Sequence, residues 1–343
     1  MKRARFLPIV VASLLVLAAC SRQQKFTAQR FQMATRVEIQ ILASPRDATR
    51  VHTALQDAFA AIDAVEQQLS WFRTNNDLAR IRLAPPGTIL FLTNWTWQAL
   101  LLARDLYNKT AGHYDVAAGP LIRAWGFGPG KTNRIPDEAE LAAARARSGM
   151  DKLILLPHLC AVSTSVAGVD IDLSSLAAGF AVDRAAERLL AHGFSNFLVN
   201  GGGEIRVSST GAKRWRIGIQ VPDEHAPDNL YLRDRILALR HGAVSTSGSY
   251  RNFHRAGTNV FIHLINPRSG RPLHTSTVSV TTWADSCARA DAWSTALFCL
   301  PVSQALALVE LEPQLECLIL EAPTNSLSGY RFSSSSGFRH LTE

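Results

Sequence analysis

Residues 171–183 read IDLSSLAAGFAVD, and within them an extended segment passes into a helix. Asp172 follows an apolar start, two serines come next, and a run of small residues continues through Gly179 to Asp183. This pattern predicts a helix over about 175–192. Small side chains at such a junction leave room for a ligand, and the free amides of a helix N-terminus attract phosphate. Capping of the helix by the serines is the alternative explanation.

On both sides of this stretch, predicted strands and helices occur in separate groups. Helical periodicity is found over 48–69, 93–110, 137–148 and 288–300, whereas LIRAWGFGPG (121–130) has the composition of a loop. Strands are predicted over 31–42, within 153–172, and at FLVN, RWRIGIQV, ILALR, VSTS, FIHLI and VSVTTW between residues 197 and 283. This grouping favours an α+β fold, with mixed or antiparallel sheets and packed helices, over a doubly wound parallel sheet.

The N-terminus has the features of an exported lipoprotein. Its first twenty residues, MKRARFLPIVVASLLVLAAC, combine a basic start with an apolar run too short to cross a bilayer. The small residues before Cys20 resemble a bacterial lipobox, which predicts a signal peptide over 1–19 and a membrane anchor of acyl chains on Cys20, facing the periplasm. A plain signal peptide with a chance cysteine is the alternative.

The remaining chain is long enough for one large domain or two. Residues 20–30 are predicted to be the lipidated N-terminus and a polar tether, 31–325 a single folded domain, and 326–343 a loosely ordered tail. The chain shows no internal repeat and no long linker.

The formal charge of +8 falls to +5 when the three basic residues of the signal peptide are removed. No dense block of Lys and Arg is present, which argues against nucleic-acid binding, although a mildly basic body suits phosphate-bearing ligands or an acidic membrane surface. Cys160, Cys287, Cys299 and Cys317 have no metal-site spacing. An exported protein could form one or two disulfides, but Cys299 and Cys317 lie in apolar runs typical of buried thiols.

Residues 290–297, ADAWSTAL, carry the first candidate for chemistry. Asp291 and Thr295 are four residues apart, so both side chains point from one face of a predicted helix. A carboxylate and a hydroxyl are hard oxygen ligands, which suit Mg²⁺ better than zinc. Taken alone, the pair is also explained by an acidic residue in the first helical turn and a Thr bonded to a backbone carbonyl.

Two further segments combine polar and flexible residues. FLVNGGGEI (197–205) breaks from an apolar strand into three glycines, which could bring backbone amides close to an anion or simply form a hairpin turn. AVSTSGSYRNF (243–253) and FIHLINPRSGRP (261–272) are predicted to pair as strands, with a turn at residues 267–270. His263 lies within the second, as a hydrogen-bonded structural residue or as a catalytic one.

Taken in order, these motifs resemble the ApbE-like family of FAD:protein FMN transferases. The match covers nearly the whole chain after the tether and includes Met33-Ala34-Thr35, LSWF (69–72), HYDVAAGPLIRAWGFG (113–128), IDLSSLAAGFAVD, VNGGGEI, STSGSYRNF, HLINPRSGRP and ADAWSTAL. The resemblance implies that the domain binds FAD and, with Mg²⁺, transfers FMN to a Thr or Ser hydroxyl of an exported or membrane flavoprotein, releasing AMP.

The resemblance also implies roles for individual residues. The FAD site would include Met33, Phe72, His113, Tyr114, Asp115, Asp172, Ile265 and the position of Ala178. The metal would be held by the Ser175 backbone carbonyl, Asp291 and Thr295, and His263 would be the base near the transferred group.

The sequence departs from the family pattern at three positions. Ala178 replaces the usual Lys, Asn266 the usual Asp, and Ala34 the usual Gly. Loss of the Lys removes a positive charge that would face the FAD phosphates, and a nearby arginine could replace it; the candidates are Arg123, Arg184, Arg251 and Arg268.

Three other functions are therefore considered beside transfer. The first is an FAD pyrophosphatase of the same fold, and the second is a non-catalytic flavin-binding assembly lipoprotein. The third is a structural lipoprotein without a ligand, which the full order of motifs argues against.

Overall fold

The computed structural model describes residues 23–132, 134–223, 230–249, 253–256, 259–322 and 329–342. Its helices are α1 (Ala48–Leu69), α2 (Asp77–Leu83), α3 (Asn94–Lys109), α4 (Gly119–Ala124), α5 (Glu138–Arg147), α6 (Ser174–Ala191), α7 (Cys287–Phe298) and α8 (Val302–Val309). Its strands are β1 (Gln24–Gln32), β2 (Thr35–Ala43), β3 (Leu90–Phe91), β4 (Leu153–Leu156), β5 (Ala161–Thr164), β6 (Phe197–Asn200), β7 (Ile205–Ser208), β8 (Trp215–Gln220), β9 (Tyr231–Leu239), β10 (His241–Gly248), β11 (Phe253–Ala256), β12 (Asn259–Ile262), β13 (Ile265–Asn266), β14 (Arg271–Pro272), β15 (Thr277–Ala284), β16 (Leu315–Glu321) and β17 (Arg331–Ser334).

Most strands belong to one antiparallel sheet. Within the described ranges it has eight strands in the order β1-β2-β6-β7-β10-β15-β16-β17. β3, β5 and β4 form a smaller sheet, and β8–β9, β11–β12 and β13–β14 are separate antiparallel pairs. Antiparallel sheets packed with helices confirm the predicted α+β class.

Both faces of the main sheet are covered. On β16, Cys317 and Ile319 join the core that contains the helices, whereas Leu318 and Leu320 join a second core with Ile217 of β8. This alternation follows from successive strand residues pointing to opposite faces. Helices therefore pack on one face and the β8–β9 hairpin packs on the other.

The N-terminal hairpin corrects the predicted tether. Residues 24–30, which the sequence assigned to a polar tether, belong to β1, and β1 pairs with β2 along its whole length. Phe26 and Ala28 pack against the core, because alternate residues of this mainly polar strand face inward. The folded domain thus begins at Gln24 rather than at residue 31.

The predicted strand over 31–42 is interrupted by a turn. Met33 and Ala34 have φ angles of 50° and 60°, in the left-handed region that two-residue hairpin turns require. Gly, Asn and Asp usually mark such a turn, and their absence here conceals it in the sequence.

The C-terminal segment is also more ordered than predicted. β17 pairs with β16, and Phe338, in a 3₁₀ helix over 338–341, is only 2% exposed. Burial of this aromatic ring fixes a segment whose serines predict a loose tail.

The long amphipathic helices agree with their predicted bounds to within two residues, in α1, α3, α5, α6 and α7. The shorter α2, α4 and α8 were not predicted, and α4 occupies part of LIRAWGFGPG. Short helices give few repeats of the apolar period, so tertiary packing decides them. None of the described helices is long and apolar enough to cross a membrane.

The predicted pairing of residues 243–253 with residues 261–272 is partly wrong. β10 pairs with β7 and β15 instead, while β11 pairs with β12 and β13 with β14. The predicted turn at residues 267–270 does connect β13 to β14.

Candidate active site

A cavity of about 1330 Å³ opens beside the end of the main sheet where β1 ends and β2 begins. We call this the upper end of the sheet and the opposite end, where β1 begins, the lower end. It is lined from β2, the β6–β7 turn, β8, the end of β10, the first turn of α6 and one face of α7. Its volume exceeds the range of about 300–1,000 Å³ common for small-molecule sites, which suits an extended ligand.

The packing of α6 against α7 brings the predicted metal residues together. Asp183 on α6 accepts hydrogen bonds from the amides of Cys287 and Ala288, both at 2.9 Å, and so caps α7. One turn earlier on α6, the Gly179 amide donates to Asp291 Oδ2 at 2.9 Å. The two helices therefore run antiparallel in steps of four residues.

Gly179 permits this close approach. A Cβ atom at this position would lie 2.3 Å from the Cys287 carbonyl oxygen and 2.8 Å from the Asp291 Cβ atom. Only a residue without a side chain fits between the two helices here. The small residues of IDLSSLAAGFAVD thus serve helix packing as well as the cavity.

The next antiparallel step places Ser175 beside Thr295, and both line the cavity with Asp291. In a regular helix the Gly179 amide would bond the Ser175 carbonyl. The Gly179 amide also donates to Asp291, and a carbonyl oxygen has two lone pairs, so the Ser175 carbonyl oxygen has capacity for another partner.

These three groups fit a hard divalent cation. A carboxylate, a hydroxyl and a backbone carbonyl are oxygen ligands of the kind that Mg²⁺ accepts. Ser247 Oγ, on β10, hydrogen bonds to Thr295 Oγ1 at 2.9 Å and to Ser294 Oγ at 2.7 Å, which fixes the Thr295 hydroxyl. Among the described residues, no group of three or more His, Cys, Asp and Glu side chains could hold a metal.

Two carboxyl groups face this position. Burial, followed by the nearby Glu204 carboxylate, raises the pKa of Asp291 well above its ordinary value. Burial also raises the pKa of Glu204 to about 7. A cation between these groups would offset the cost of keeping negative charge out of water. Glu204 was not among the predicted site residues, and the GGGE sequence was its only signal.

Tyr114 and His113 line the same cavity. The Tyr114 hydroxyl lies 2.8 Å from Ser175 Oγ, and burial raises the pKa of this phenol far above its ordinary value, so it stays protonated. Burial lowers the pKa of His113, which favours a neutral ring.

Asp115 and Asp172 also line the cavity, but their carboxylates bind the protein itself. Asp115 Oδ1 accepts hydrogen bonds from the amides of Ala117 at 2.8 Å and Met150 at 3.1 Å. Asp172 Oδ1 accepts from the Ser174 amide at 2.9 Å and its hydroxyl at 2.5 Å. The serines therefore do not cap α6, and these two acids shape the loops around the cavity.

The remaining predicted residues divide into two groups. Phe72, 65% exposed, Ile265, 6% exposed, and His263 line the cavity. Met33 and Ala178 are not among its lining residues. Met33 packs against the helix-side core, and Ala178 lies one turn beyond the α6 lining residues with only a methyl side chain. The contacts of Met33 and Ala178 with the ligand stay predictions.

Comparison with known proteins identifies the family. A family model described as ApbE family matches residues 33–319. The chain belongs to the ApbE family.

Curated and solved relatives agree with this assignment. A Vibrio cholerae protein named FAD:protein FMN transferase is 29% identical over 96% of this chain and 98% of its own. One of the same name from Haemophilus influenzae is 30% identical over 98% of this chain and 97% of its own.

The solved flavin transferase ApbE from Vibrio cholerae matches with a TM-score of 0.81 at 28% identity, over 93% of this chain and 99% of that one. The apo form of the flavinyl transferase ApbE from Pseudomonas stutzeri gives a TM-score of 0.79 at 28% identity, over 93% and 96%. These matches confirm the predicted resemblance, the fold class and the enzyme class, that of a flavin transferase.

Three of the four arginines considered as candidates to replace the family's Lys at position 178 have partners elsewhere in the protein. Arg123 bonds Asp170 at 2.5 Å, Arg184 pairs with Glu187, and Arg268 donates to the Ala111 carbonyl. Arg251 lies outside the described residues, as do Cys20 and the predicted signal peptide. Arg36 on β2 and Arg216 on β8 line the cavity instead, and neither was predicted because strands far apart in sequence bring them together.

The glycine segment of this ApbE-family chain is a hairpin turn. The Gly202 and Gly203 amides both donate to Asn200 Oδ1, at 2.9 and 3.1 Å. These amides are therefore used within the turn, which connects β6 to β7 at the edge of the cavity. The hairpin explanation of the segment is confirmed, and the anion-binding one is not supported.

The described cysteines are all free thiols. Cys317 is fully buried, as predicted, whereas Cys299 is half-buried and lines the cavity.

Proposed function

We propose that this protein transfers FMN from FAD to a Thr or Ser hydroxyl of an exported or membrane flavoprotein and releases AMP, in a Mg²⁺-dependent reaction. The observation that supports this most strongly is the antiparallel register of α6 and α7, which brings Ser175, Asp291 and Thr295 to one wall of a cavity of dinucleotide size. The names of the relatives support the same reaction.

Mg²⁺ would be held by the Asp291 carboxylate, the Thr295 hydroxyl and the Ser175 carbonyl. When bound, the ion supplies charge neutralisation for the phosphate oxygens. Ser247 keeps the Thr295 hydroxyl in place, and the Gly179 amide orients the Asp291 carboxylate.

The rest of the cavity would hold FAD. Phe72, at the exposed rim, offers an aromatic face for the flavin ring, and Ile265 offers an apolar surface. Arg36 and Arg216 would supply positive charge to the phosphates in place of the missing Lys. Neutral His113 and protonated Tyr114 can donate hydrogen bonds there without adding charge.

In the transfer step, the acceptor hydroxyl oxygen forms a bond to the FMN phosphorus while the bond from that phosphorus to AMP breaks. His263, which lines the cavity, would take the hydroxyl proton. AMP leaves with the bridging oxygen, so the flavin stays attached to the acceptor through its phosphate.

Anchoring by acyl chains on Cys20 belongs to the same proposal. The signal-like N-terminus and the lipobox-like residues before Cys20 support it, and they would place the enzyme on the periplasmic face of a membrane. There it would meet exported or membrane-bound acceptor proteins.

The decisive experiment mixes the purified chain with FAD, Mg²⁺ and a flavin-accepting protein. Covalent flavin fluorescence in the acceptor band of a denaturing gel, with an equal amount of AMP, is the expected result. Free FMN with AMP and no labelled acceptor would indicate a pyrophosphatase. Binding of FAD with no product would indicate a flavin-binding lipoprotein.

A further inference from the structure

The start of β1 and the metal residues lie at opposite ends of the main sheet. Strand register relates Ala28 of β1 through β2, β6 and β7 to Ala243 of β10. Ser247, which holds Thr295, is four residues further along β10 and therefore level with Gln32 at the end of β1. Gln32 is eight residue steps beyond Gln24, or about 27 Å along the strand.

The predicted anchor lies close to the lower end of the sheet. Three residues separate Cys20 from Gln24, the first residue of β1. Even a fully extended chain spans at most about 3.6 Å per residue, so the Cα atoms of Cys20 and Gln24 are at most about 14 Å apart. A membrane that holds acyl chains on Cys20 must therefore lie near the start of β1.

This lower end carries exposed basic side chains from several segments that the sheet brings together. We call it the basic end and define it by Lys25, Arg46, Lys213, Arg214 and Arg240. Lys25 is on β1, Arg46 follows β2, Lys213 and Arg214 precede β8, and Arg240 lies between β9 and β10. None of the five forms an ion pair with a carboxylate of the described residues.

Two acidic groups near the basic end pair with arginine, and a third bonds to a histidine. Asp47 pairs with Arg50 at 2.8 Å, and Asp57 pairs with His192 at 2.7 Å. Asp285, at the end of β15, pairs with Arg289 at 3.3 Å. The five basic side chains outnumber the acidic groups named here, so the net charge at this end is positive, which complements an anionic surface.

We propose that the basic end rests on anionic phospholipid headgroups. The cavity then lies about the length of β1 from the bilayer and opens away from it. The inference depends on the proposed anchor at Cys20. Each basic side chain near an anionic membrane surface adds attraction, and an acyl anchor with a polybasic surface binds more durably than one signal alone. The acceptor protein would then present its hydroxyl roughly 27 Å above the headgroups.

Lysine labelling of the full chain with its anchor tests this orientation. The chain is isolated in detergent, reconstituted into vesicles containing phosphatidylglycerol, and treated in both states with an amine-reactive acetylating reagent before peptide mass spectrometry. We expect Lys25 and Lys213 to react about fivefold more slowly in vesicles, the factor expected for one basic side chain at an anionic surface. Lys131, exposed in the segment between α4 and α5, is the internal control and should react equally in both states.

A charge-reversal variant tests the role of the headgroups. In Lys25→Glu/Arg46→Glu/Arg240→Glu, the protection of Lys213 should be lost although the chain remains anchored. The matched control Lys131→Glu/Arg134→Glu/Arg147→Glu reverses three exposed charges elsewhere and should keep that protection. FAD binding in detergent verifies that both variants are folded.

Three outcomes would overturn the proposal. Equal labelling of Lys25 and Lys213 in detergent and vesicles, or slower labelling of Lys131 in their place, would contradict the orientation. Undiminished protection in pure phosphatidylcholine vesicles would contradict the role of anionic headgroups. The labelling needs neither FAD nor an acceptor, so its result is independent of whether transfer is observed.

Discussion

Gly179 is the residue on which the arrangement of the site depends most directly. Replacing it with Ala would put a methyl group 2.3 Å from the Cys287 carbonyl oxygen, so α6 and α7 must separate. We expect Gly179→Ala to lower the free energy of unfolding by about 1–3 kcal/mol, as overpacking does, and to weaken Mg²⁺ dependence. Urea denaturation and metal titration of AMP release measure the two effects.

Gly329→Ala is a suitable control for this prediction. A Cβ atom at Gly329 would meet no heavy atom within 4 Å. Its stability and activity should match the unmodified chain, and a comparable loss in both variants would refute the role given to helix packing.

Asp291 carries the charge of the proposed metal site. Asp291→Asn keeps the shape of the side chain and removes the negative charge, so we expect a loss of transfer of about 100-fold or more, as for other removed electrostatic groups. AMP release measured against Mg²⁺ concentration should show no saturation. Asp105→Asn, on the exposed surface of α3, should behave normally; unchanged transfer in Asp291→Asn would eliminate the metal site.

Asp115 predicts a pH dependence of stability. Burial raises the pKa of Asp115 from 3.8 to about 6 in the folded chain. Between these values the folded state binds more protons than the unfolded state, so this group's contribution falls as pH rises from about 4 to 6, by about 3 kcal/mol at most. Urea unfolding at pH 4.5 and 7 should show this fall, and the fall should be smaller in Asp115→Asn, where the raised pKa values of Asp291 and Glu204 still contribute.

Arg36, which lines the cavity, is proposed to supply part of the charge that Ala178 does not. Loss of a charge-assisted hydrogen bond to phosphate should weaken FAD binding about tenfold in Arg36→Gln, with riboflavin binding unchanged. Fluorescence titration with both ligands measures the difference. Arg46→Gln, at the basic end, is the control, and equal loss for the two ligands would argue against a phosphate contact.

Among the elements, the β1–β2 hairpin explains one departure from the family pattern. Ala34, where a Gly is usual, has a φ of 60° that costs an L-residue about 1 kcal/mol. Ala34→Gly should therefore raise the free energy of unfolding by up to about 1 kcal/mol. Ala28→Gly, inside β1, should lower it, because Gly weakens a strand interior; a loss in both variants would show that the turn is not strained.

Within single helices and turns, local sequence predicts some features and misses others. Asp291 and Thr295 could be paired from spacing alone, because a helix fixes the relation between residues four apart. The bounds of α1 and α6 follow from long apolar periods in the same way. Met33 and Ala34 carry no turn signal, and α4 is too short for a period, so both features were missed.

For the whole molecule, prediction from the sequence is limited by contacts between segments that lie far apart in the chain. Arg36, Glu204 and Arg216 reach one cavity only because β2, the β6–β7 turn and β8 are brought together by the sheet and its hairpin. The resemblance to the ApbE family named most of the predicted residues that line the cavity, but Met33 and Ala178 are not among its lining residues. Residue correspondence transfers identity, whereas the direction of each side chain depends on the packing of this chain.

The four-residue register between α6 and α7 makes the spacing of this segment intolerant of insertion or deletion. One extra residue between Gly179 and Asp183 would rotate the part of α6 that precedes it by about 100° about the helix axis, relative to the start of α7 that Asp183 caps. Ser175 would then face away from Thr295, while every side chain of the site remained intact. A survey of natural or engineered length variants should therefore find the eight-residue interval from Ser175 to Asp183 unchanged wherever transfer activity persists.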